Sequence, residues 1–300
     1  MSADFHNPAK RLLKARLRKF RRQVRSSRAV FQLRWSTASL RILPDFLIIG
    51  AQKSGTTTLY TYLNQHPAVA QAFTQEVHYF DLNFHRGLSW YRAHFPTYLH
   101  ARGIRRALGA NLLTGEASAY YLFHPRVCER VWATIPHVRL IIVLRDPVER
   151  AWAQYLQNRA TKLEDLAFED AIDREEERLA GERRRLIDDE SATSFSYREH
   201  SYLSRGIYVD QIRPWMELFP REQIHIVSSE ELLFRDPASI IAQVQDFLAL
   251  PRRPLEHLRI YPREAEVPIN DATRTRLRKH FCPHNQRLFE YLGRDFGWGR

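Results

Sequence analysis

From residue 44 onward, short apolar runs alternate with longer segments in which apolar positions recur at helical spacing. Three runs have the length of buried strands, at residues 46–49, 138–144 and 223–227. Helical patterns occupy the segments after residue 56, after residue 146, at 207–219 and at 237–248. Strands that are apolar throughout and alternate with helices are typical of a parallel sheet covered on both faces. The pattern therefore predicts an α/β fold, a three-layer sandwich with a central parallel sheet.

The first 43 residues read as a basic N-terminal arm. Residues 1–44 hold twelve Lys and Arg but a single acid, Asp4, which accounts for nearly all of the net charge of +12. Asn7 and Pro8 are typical of a helix start, and apolar residues recur at helical spacing between the basic ones over residues 8–25. Three interpretations stay open for this segment: a solvated tail, a contact with an anionic membrane surface or an acidic partner, and an organelle presequence.

The remaining body, residues 44–300, is almost neutral, which argues against a nucleic-acid-binding fold. We expect a single domain with a charged helical insertion at about 160–200. Cys128 and Cys282 lie far apart and have no metal-ligand spacing, which favours a reducing compartment. No apolar run is long enough for a membrane span or a secretory signal, so a cytoplasmic location is expected.

The first apolar run leads directly into a glycine-flanked loop that opens a helix. Residues 50–59 read Gly-Ala-Gln-Lys-Ser-Gly-Thr-Thr-Thr-Leu. Unpaired backbone N–H groups at such a helix start attract an anion, and Lys53 adds a positive charge. The hydroxyls of Ser54, Thr56 and Thr57 add further donors. The loop differs from that of nucleoside triphosphatases, in which the lysine follows the second glycine rather than preceding it.

Two motifs resemble those of sulfotransferases that use 3′-phosphoadenosine 5′-phosphosulfate (PAPS). Residues 44–59 are similar to the 5′-phosphosulfate loop of that family, and residues 143–155 are similar to its 3′-phosphate motif. With weaker similarity near the C-terminus, the resemblance extends over about residues 44–298. It implies the P-loop-like sulfotransferase fold, in which a strand, a loop and a helix bind the donor. The donor-binding residues that it implies are Lys53, Ser54, Gly55, Thr56, Thr57 and Arg145.

The next segment narrows the resemblance to one branch. Residues 75–81, Gln-Glu-Val-His-Tyr-Phe-Asp, are similar to a segment of the heparan sulfate N- and 3-O-sulfotransferases and their bacterial relatives. In that branch the glutamate is the catalytic base. The resemblance thus implies Glu76 as the base, aided by Lys53 and His78, with Asp81 as a supporting residue in the acceptor cleft.

Two further segments contribute expected acceptor-binding residues. Residues 115–121 correspond to another segment of the same family, which adds Glu116 to Asp81 as an acceptor contact. Trp90 and Tyr91 are open to two interpretations, a wall on which a sugar stacks and ordinary packing. The expected acceptor is the hydroxyl or amine of a carbohydrate or a glycosylated small molecule.

The chain also departs from the family pattern. A serine usually follows the motif arginine by eight residues and holds the 3′-phosphate, but this position is Ala153. Arg145 would then contribute more to binding of the 3′-phosphate, together with Arg150 or a C-terminal arginine such as Arg263. The lysine that often follows the counterpart of Glu116 is Ala117. These differences weaken the expectation of a heparan substrate more than that of a sulfotransferase.

The chemistry of sulfuryl transfer suits these residue types. A sulfuryl group carries one negative charge where a phosphoryl group carries two, so a lysine and backbone amides can stabilise its transfer without an obligatory metal. Glu76 would take the proton of the acceptor, while Lys53 stabilises the charge on the leaving phosphate. PAPS is then the expected co-substrate, adenosine 3′,5′-bisphosphate (PAP) the product, and no metal is expected.

Each site residue also has a structural interpretation, and the whole chain has two other functional ones. Glu76 is open to a role in a surface ion pair, His78 to a structural role, and Arg145 to pairing with an acid of the next helix turn. A phosphate-loop kinase of a small metabolite is the alternative enzyme. An interaction protein that binds through its basic arm is the alternative outside enzymes.

Overall fold

A parallel five-stranded sheet forms the centre of the molecule. The structure, a computed structural model, describes residues 28–254 and 268–299. The strands are β1 (Phe46–Gly50), β2 (Val69–Gln71), β3 (Leu113–Glu116), β4 (Arg139–Leu144) and β5 (Ile224–Ser228). They lie in the order β2-β3-β1-β4-β5, and all four pairings are parallel. The chain therefore crosses over β1 on its way from β3 to β4.

Helices connect the strands and cover the sheet. Those of the described residues are α1 (Arg28–Ser36), α2 (Thr56–Leu63), α3 (Tyr79–Leu82), α4 (Gly87–Arg92), α5 (Tyr98–Leu108), α6 (Val127–Thr134), α7 (Pro147–Ala160), α8 (Phe168–Asp173), α9 (Glu175–Leu179), α10 (Glu182–Asp188), α11 (Phe195–Glu199), α12 (Tyr208–Leu218), α13 (Pro237–Phe247) and α14 (Asp271–Leu292). The Asp146 carboxylate caps α7 by accepting from the Val148 N–H at 2.9 Å, with Pro147 in the first turn, as the sequence predicts.

The side chains of the central strands alternate between two hydrophobic clusters. In β1, Leu47 and Ile49 point into one cluster, and Phe46 and Ile48 into the other. Helices α6, α12 and α14 complete the first cluster, while α2 and α13 complete the second. Because both faces of the sheet are covered, the strands can be apolar throughout. The predicted three-layer α/β sandwich is confirmed.

The basic arm ends earlier than the sequence pattern indicates, because residues 28–43 pack on the body. The Phe31 ring lies 5.9 Å from that of Trp90, centroid to centroid. The Arg34 guanidinium donates to the Ala93 carbonyl at 2.7 Å. These residues thus belong to the folded unit. The predicted helix over 8–25 lies outside the described residues.

The charged segment at 160–200 folds into the four short helices α8 to α11. Its acidic and basic side chains largely face solvent, yet Phe168, Leu186 and Tyr197 are buried in two small apolar clusters. The expected solvated insertion therefore also contributes to the core. Within the described residues, no helix combines the length and the apolar character needed to cross a bilayer.

Candidate active site

The loop after β1 has the shape that its small residues predict. Gly55 adopts a φ of 94°, a left-handed conformation that favours glycine, and begins α2 without a side-chain cap. The first backbone N–H groups of α2 therefore have no partner inside the helix. The Ser54 hydroxyl is buried and makes no hydrogen bond to any described residue. An orphaned buried hydroxyl beside unpaired amides fits an anionic group held in this loop.

Arg145 follows β4 and lies beside this loop. Its guanidinium donates to the carbonyl oxygen of Lys53 at 3.1 Å. The Tyr208 hydroxyl donates to the Arg145 carbonyl at 2.8 Å, which fixes the backbone at the strand end. Since β1 and β4 are adjacent parallel strands, their carboxyl ends bring the two loops together at the point where the chain crosses over.

A cleft of about 700 Å³ opens between these loops and helix α7. It brings together most of the residues that the sequence predicts as a site. Its lining includes Lys53, Gly55, Thr56, Thr57, Glu76, Arg145 and Ala153. The pKa of Lys53 is lowered, mainly by burial and also by the Arg145 charge, whereas Glu76 acts in the opposite direction. Cationic and anionic groups therefore influence one another across the cleft.

Glu76, His78 and Asp81 form a chain of contacts at the cleft edge. His78 Nδ1 lies 2.7 Å from Asp81 Oδ2, and His78 Nε2 lies 3.3 Å from Glu76 Oε2. Burial alone would lower the pKa of His78, but its hydrogen bonds to the two carboxylates outweigh burial and raise the pKa to about 10. At neutral pH the ring is therefore an imidazolium that donates to both acids. Glu76 keeps 48% of its side chain exposed, so its carboxylate is accessible from the cleft.

The other predicted acceptor contacts are buried. The Asp81 carboxylate has no exposed area, Glu116 is 0% exposed, and Trp90 is 6% exposed. Trp90 packs against Tyr79 and Phe31 in an aromatic cluster, so it offers no open face to a sugar. The expectation of direct acceptor contacts is thus corrected for all three residues. Trp90 packs in the protein interior, and the Asp81 and Glu116 carboxylates form hydrogen bonds with groups inside the protein.

Arg150 does not reach the cleft either. Its side chain is 0% exposed, donating to the Gln154 side chain at 2.7 Å and to the Tyr202 carbonyl at 2.5 Å. Burial lowers its pKa to about 10. The expectation that Arg150 shares the task of Arg145 is therefore wrong. Arg263, the other suggested partner, lies outside the described residues.

Several cleft residues escaped the sequence interpretation. Gln52, Trp152, Leu156 and Gln157 also line the cleft. Gln52 lies within the glycine-flanked loop, and the others follow Arg145 at helical spacing, so the two motifs contained the signal that could have identified them. Among the described residues, no group of three or more His, Cys, Asp and Glu side chains is arranged to hold a metal ion.

Comparisons with known proteins agree with this architecture. The sulfotransferase domain family matches residues 43–281. The solved structure of a sulfotransferase from Alicyclobacillus acidocaldarius is similar with a TM-score of 0.64 and 26% identity, over 85% of this chain and 98% of that one. The residues that match the family include the whole central sheet and both cleft loops.

Three curated relatives extend the comparison. Membrane-associated sulfotransferase kil1 of Dictyostelium discoideum is 28% identical over 86% of this chain and 67% of that protein. Heparan sulfate glucosamine 3-O-sulfotransferase 3B1 of Mus musculus is 31% identical over 88% of this chain and 67% of that protein. The bifunctional heparan sulfate N-deacetylase/N-sulfotransferase 1 of Caenorhabditis briggsae is 31% identical over 75% of this chain. The chain spans a quarter of the length of that third relative.

These matches decide between the functional alternatives. They favour an enzyme over an interaction protein, and sulfuryl transfer over the kinase alternative, in agreement with the position of Lys53 before the second glycine. The chain belongs to the sulfotransferase domain family, and it is a sulfotransferase.

Proposed function

We propose that this enzyme transfers a sulfuryl group from PAPS to a hydroxyl or amine of a carbohydrate or a glycosylated small molecule. The observation that carries the proposal is the shared cleft, in which Lys53, Arg145 and Glu76 converge from three different loops. The similarity to heparan sulfate sulfotransferases supports a glycan acceptor. The relatives' own glycan is not carried over to this chain, because Ala117 stands where the family often has a lysine.

The donor would lie along the two strand-end loops. Amides of the loop after β1, with Lys53, Ser54, Thr56 and Thr57, would hold its 5′ side, and Arg145 its 3′-phosphate. The buried Ser54 hydroxyl, which has no described partner, suits a phosphate or sulfate oxygen. When bound, PAPS supplies the sulfuryl group and departs as PAP.

Glu76 is the proposed general base. The attacking oxygen or nitrogen of the acceptor must lose its proton, and the exposed Glu76 carboxylate would accept it. The imidazolium of His78 donates to Glu76 and thereby orients the carboxylate toward the cleft. Lys53 would stabilise the negative charge that develops on the leaving phosphate oxygen.

The cytoplasmic location stays a prediction. Cys128 and Cys282 are both free thiols, which suits a reducing compartment.

Thermal-shift and turnover measurements together test the proposal. A ligand at a hundredfold excess over its Kd stabilises the folded state by about 2.7 kcal/mol, which raises Tm by several degrees. We expect PAP without added metal to produce this shift, and Arg145→Ala to remove most of it. Glu76→Gln should keep the shift but reduce transfer from labelled PAPS to a panel of sugars, glycolipids and phenols by about a hundredfold or more.

The matched control is Glu149→Gln. Glu149 also lines the cleft but forms an ion pair with Arg274, so its neutralisation should leave turnover within a few-fold of the wild-type value. Stabilisation by ATP with Mg²⁺ but not by PAP would contradict the proposed donor. Unchanged turnover of Glu76→Gln would remove Glu76 as the base.

A further inference from the structure

Glu116 ends β3 as a completely buried acid whose hydrogen-bond partners all donate to it. The Val77 N–H and the Ser118 hydroxyl donate to Oε2 at 3.0 and 2.6 Å. The Tyr91 and Tyr121 hydroxyls donate to Oε1 at 2.9 and 2.8 Å. A carboxylate can accept four hydrogen bonds, whereas a protonated carboxyl would direct one donor at another. Burial raises the pKa of the Glu116 carboxyl, and the hydrogen bonds from its four donors act in the opposite direction. These donors therefore favour the ionised form against the effect of burial.

Two of these hydroxyls also accept hydrogen bonds from the backbone. Ser118 Oγ accepts from the His78 N–H at 3.0 Å. Tyr121 Oη accepts from the Tyr79 N–H at 2.8 Å and, more weakly, from the Phe80 N–H at 3.4 Å. Because each hydroxyl has only one proton, donating it to Glu116 leaves its lone pairs for these amides. The charge on Glu116 thus determines how both hydroxyls are oriented.

Four consecutive amides, from Val77 to Phe80, are therefore bound to Glu116 directly or through one hydroxyl. They belong to the turn that begins α3, where the His78 side chain makes no capping hydrogen bond. His78 has a φ of 52°, a left-handed conformation that is unfavourable for residues other than glycine. Asn83 supports this conformation from within the turn, since its side-chain amide donates to the Val77 and His78 carbonyls at 3.3 and 2.9 Å. Glu116 with its hydroxyl partners supports it from the neighbouring strand.

We propose that Glu116 is a positioning residue for sulfuryl transfer, which holds the turn that carries Glu76 and His78 against the cleft. The inference rests on the proposed role of Glu76 as the base. It replaces the acceptor contact that the sequence predicts for Glu116, because no part of that side chain is exposed. Tyr121 and Ser118 are the two side chains through which it acts.

Two tyrosine variants form a matched pair for the test. Tyr91 and Tyr121 are both 0% exposed, and each donates one hydrogen bond of similar length to the same carboxylate oxygen. Only Tyr121 also binds the amides of the turn. Tyr91→Phe thus reports what the loss of one donor to Glu116 costs, and Tyr121→Phe adds the loss of positioning.

With PAPS and an acceptor from the panel of sugars, glycolipids and phenols that the wild type sulfates, we expect Tyr121→Phe to lower kcat by about 10- to 100-fold, since small displacements of a catalytic group have effects of this size. Tyr91→Phe should stay within about threefold of wild type. Affinity for PAP should change less than about twofold in both variants. Equal losses of kcat in the two variants, or a parallel loss of PAP affinity in Tyr121→Phe alone, would overturn the proposal.

A second readout needs no acceptor. In an NMR titration of the His78 ring, wild type and Tyr91→Phe should show a pKa near 10, because both keep the contacts with Glu76 and Asp81. Tyr121→Phe should lower that pKa by about one unit or more as the turn relaxes. An equal pKa of the His78 ring in Tyr91→Phe and Tyr121→Phe would contradict the proposal, even if neither variant sulfates an acceptor.

A double variant separates this proposal from the role of Glu76. If the positioning acts through the base, Tyr121→Phe should cause little further loss of kcat in the Glu76→Gln enzyme. A full additional loss there would overturn the positioning role and leave the base assignment intact. Unchanged turnover in Glu76→Gln alone would instead remove the base, while the His78 titration would still report on Glu116.

Discussion

Ala153 is the residue at which this chain differs most clearly from the expected donor site. Ala153 lies on α7 and lines the same cleft as Arg145. At the position of Ala153 the family usually has a serine that binds the 3′-phosphate. A methyl group cannot donate a hydrogen bond, and the buried Arg150 cannot replace the missing donor. In the proposed mode of donor binding, this phosphate is therefore assigned to Arg145, which lines the cleft.

Restoring the hydroxyl should strengthen donor binding. Since a hydrogen bond to a charged group contributes about 1.5–3 kcal/mol, we expect Ala153→Ser to tighten PAP binding by roughly tenfold or more in calorimetry. Affinity for adenosine 5′-monophosphate, which lacks the 3′-phosphate, should not change. An equal gain for both nucleotides would place the new hydroxyl near another part of the ligand.

The order of residues in the sequence predicts the location of the cleft residues better than it predicts which polar residues are buried. Lys53 and Arg145 each follow an apolar strand directly, so their place at the sheet edge can be read from the sequence alone. The burial of Glu116 depends on Val77 and Tyr91, which lie 39 and 25 residues away in the chain. Nothing in the local pattern distinguishes such an acid from one that faces a substrate.

At the scale of elements, helix α1 and the segment that follows it join the body through specific contacts. The Arg41 guanidinium and the Arg34 guanidinium both donate to the Phe95 carbonyl, at 2.9 and 2.8 Å. The Ile42 N–H donates to the Pro96 carbonyl at 3.1 Å. High positive charge made this segment look like part of a solvated arm, but arginine can satisfy buried carbonyls while it covers apolar rings.

Two truncations should separate the arm from this packed segment. Deletion of residues 1–27 should leave Tm and PAP binding almost unchanged, because it removes none of these contacts. Deletion of residues 1–40 also removes Phe31 and the Arg34 hydrogen bonds, so we expect a loss of about 2–4 kcal/mol and a fall in Tm of about 4–15 °C. Equal Tm values for both truncations by calorimetry would show that α1 contributes nothing to stability.

Element prediction failed where strands are short or polar. β2 has three residues, and β3 reads Leu-Thr-Gly-Glu, so neither has the apolar run that marks β1, β4 and β5. The polar groups of β3 are nevertheless satisfied inside the protein: the Thr114 N–H donates to the Asp45 carboxylate at 2.8 Å, and its hydroxyl donates to the Ala70 carbonyl at 2.8 Å. Such long-range partners cannot be read from a single segment.

For the molecule as a whole, the strand order explains why distant motifs meet. β1 lies between β3 and β4, so the loop carrying Lys53 is adjacent both to the strand that ends at Glu116 and to the strand that leads into Arg145. The sequence predicts the parallel sheet, but the strand order depends on the two strands that the pattern missed. The carboxyl ends of β1, β3 and β4 therefore lie side by side and carry Lys53, Glu116 and Arg145, which have proposed roles in donor binding and in positioning the base.

The fold lowers the pKa of some histidines and raises that of another, so the stability of the whole molecule should fall both at acid and at alkaline pH. Burial lowers the pKa of His94 to about 3, aided by the charges of Arg34 and Arg86, and lowers that of His124 to about 4. Below pH 6.5 the unfolded chain protonates these rings and the folded protein does not, so stability falls as the pH falls. Burial raises the pKa of Asp45 to about 6, which partly opposes this trend.

His78 acts on the alkaline side, because its raised pKa stabilises the fold below pH 6.5 and this contribution is lost as the pH rises toward 10.

Variants of His94 and His78 should therefore change opposite limbs of the stability profile. Each buried neutral histidine contributes a slope of up to about 1.4 kcal/mol per pH unit between its folded and unfolded pKa values. In urea unfolding, the free energy of unfolding should fall less steeply between pH 6.5 and pH 4.5 in His94→Gln than in wild type, by up to about 1.4 kcal/mol per pH unit. The variant should be less stable at neutral pH, because the substitution disturbs an aromatic cluster. His78→Gln should leave the acid limb as it is and flatten the decline between pH 6.5 and 10. An acid limb in His94→Gln as steep as that of wild type would show that the ring takes up its proton as readily in the folded protein as in the unfolded chain.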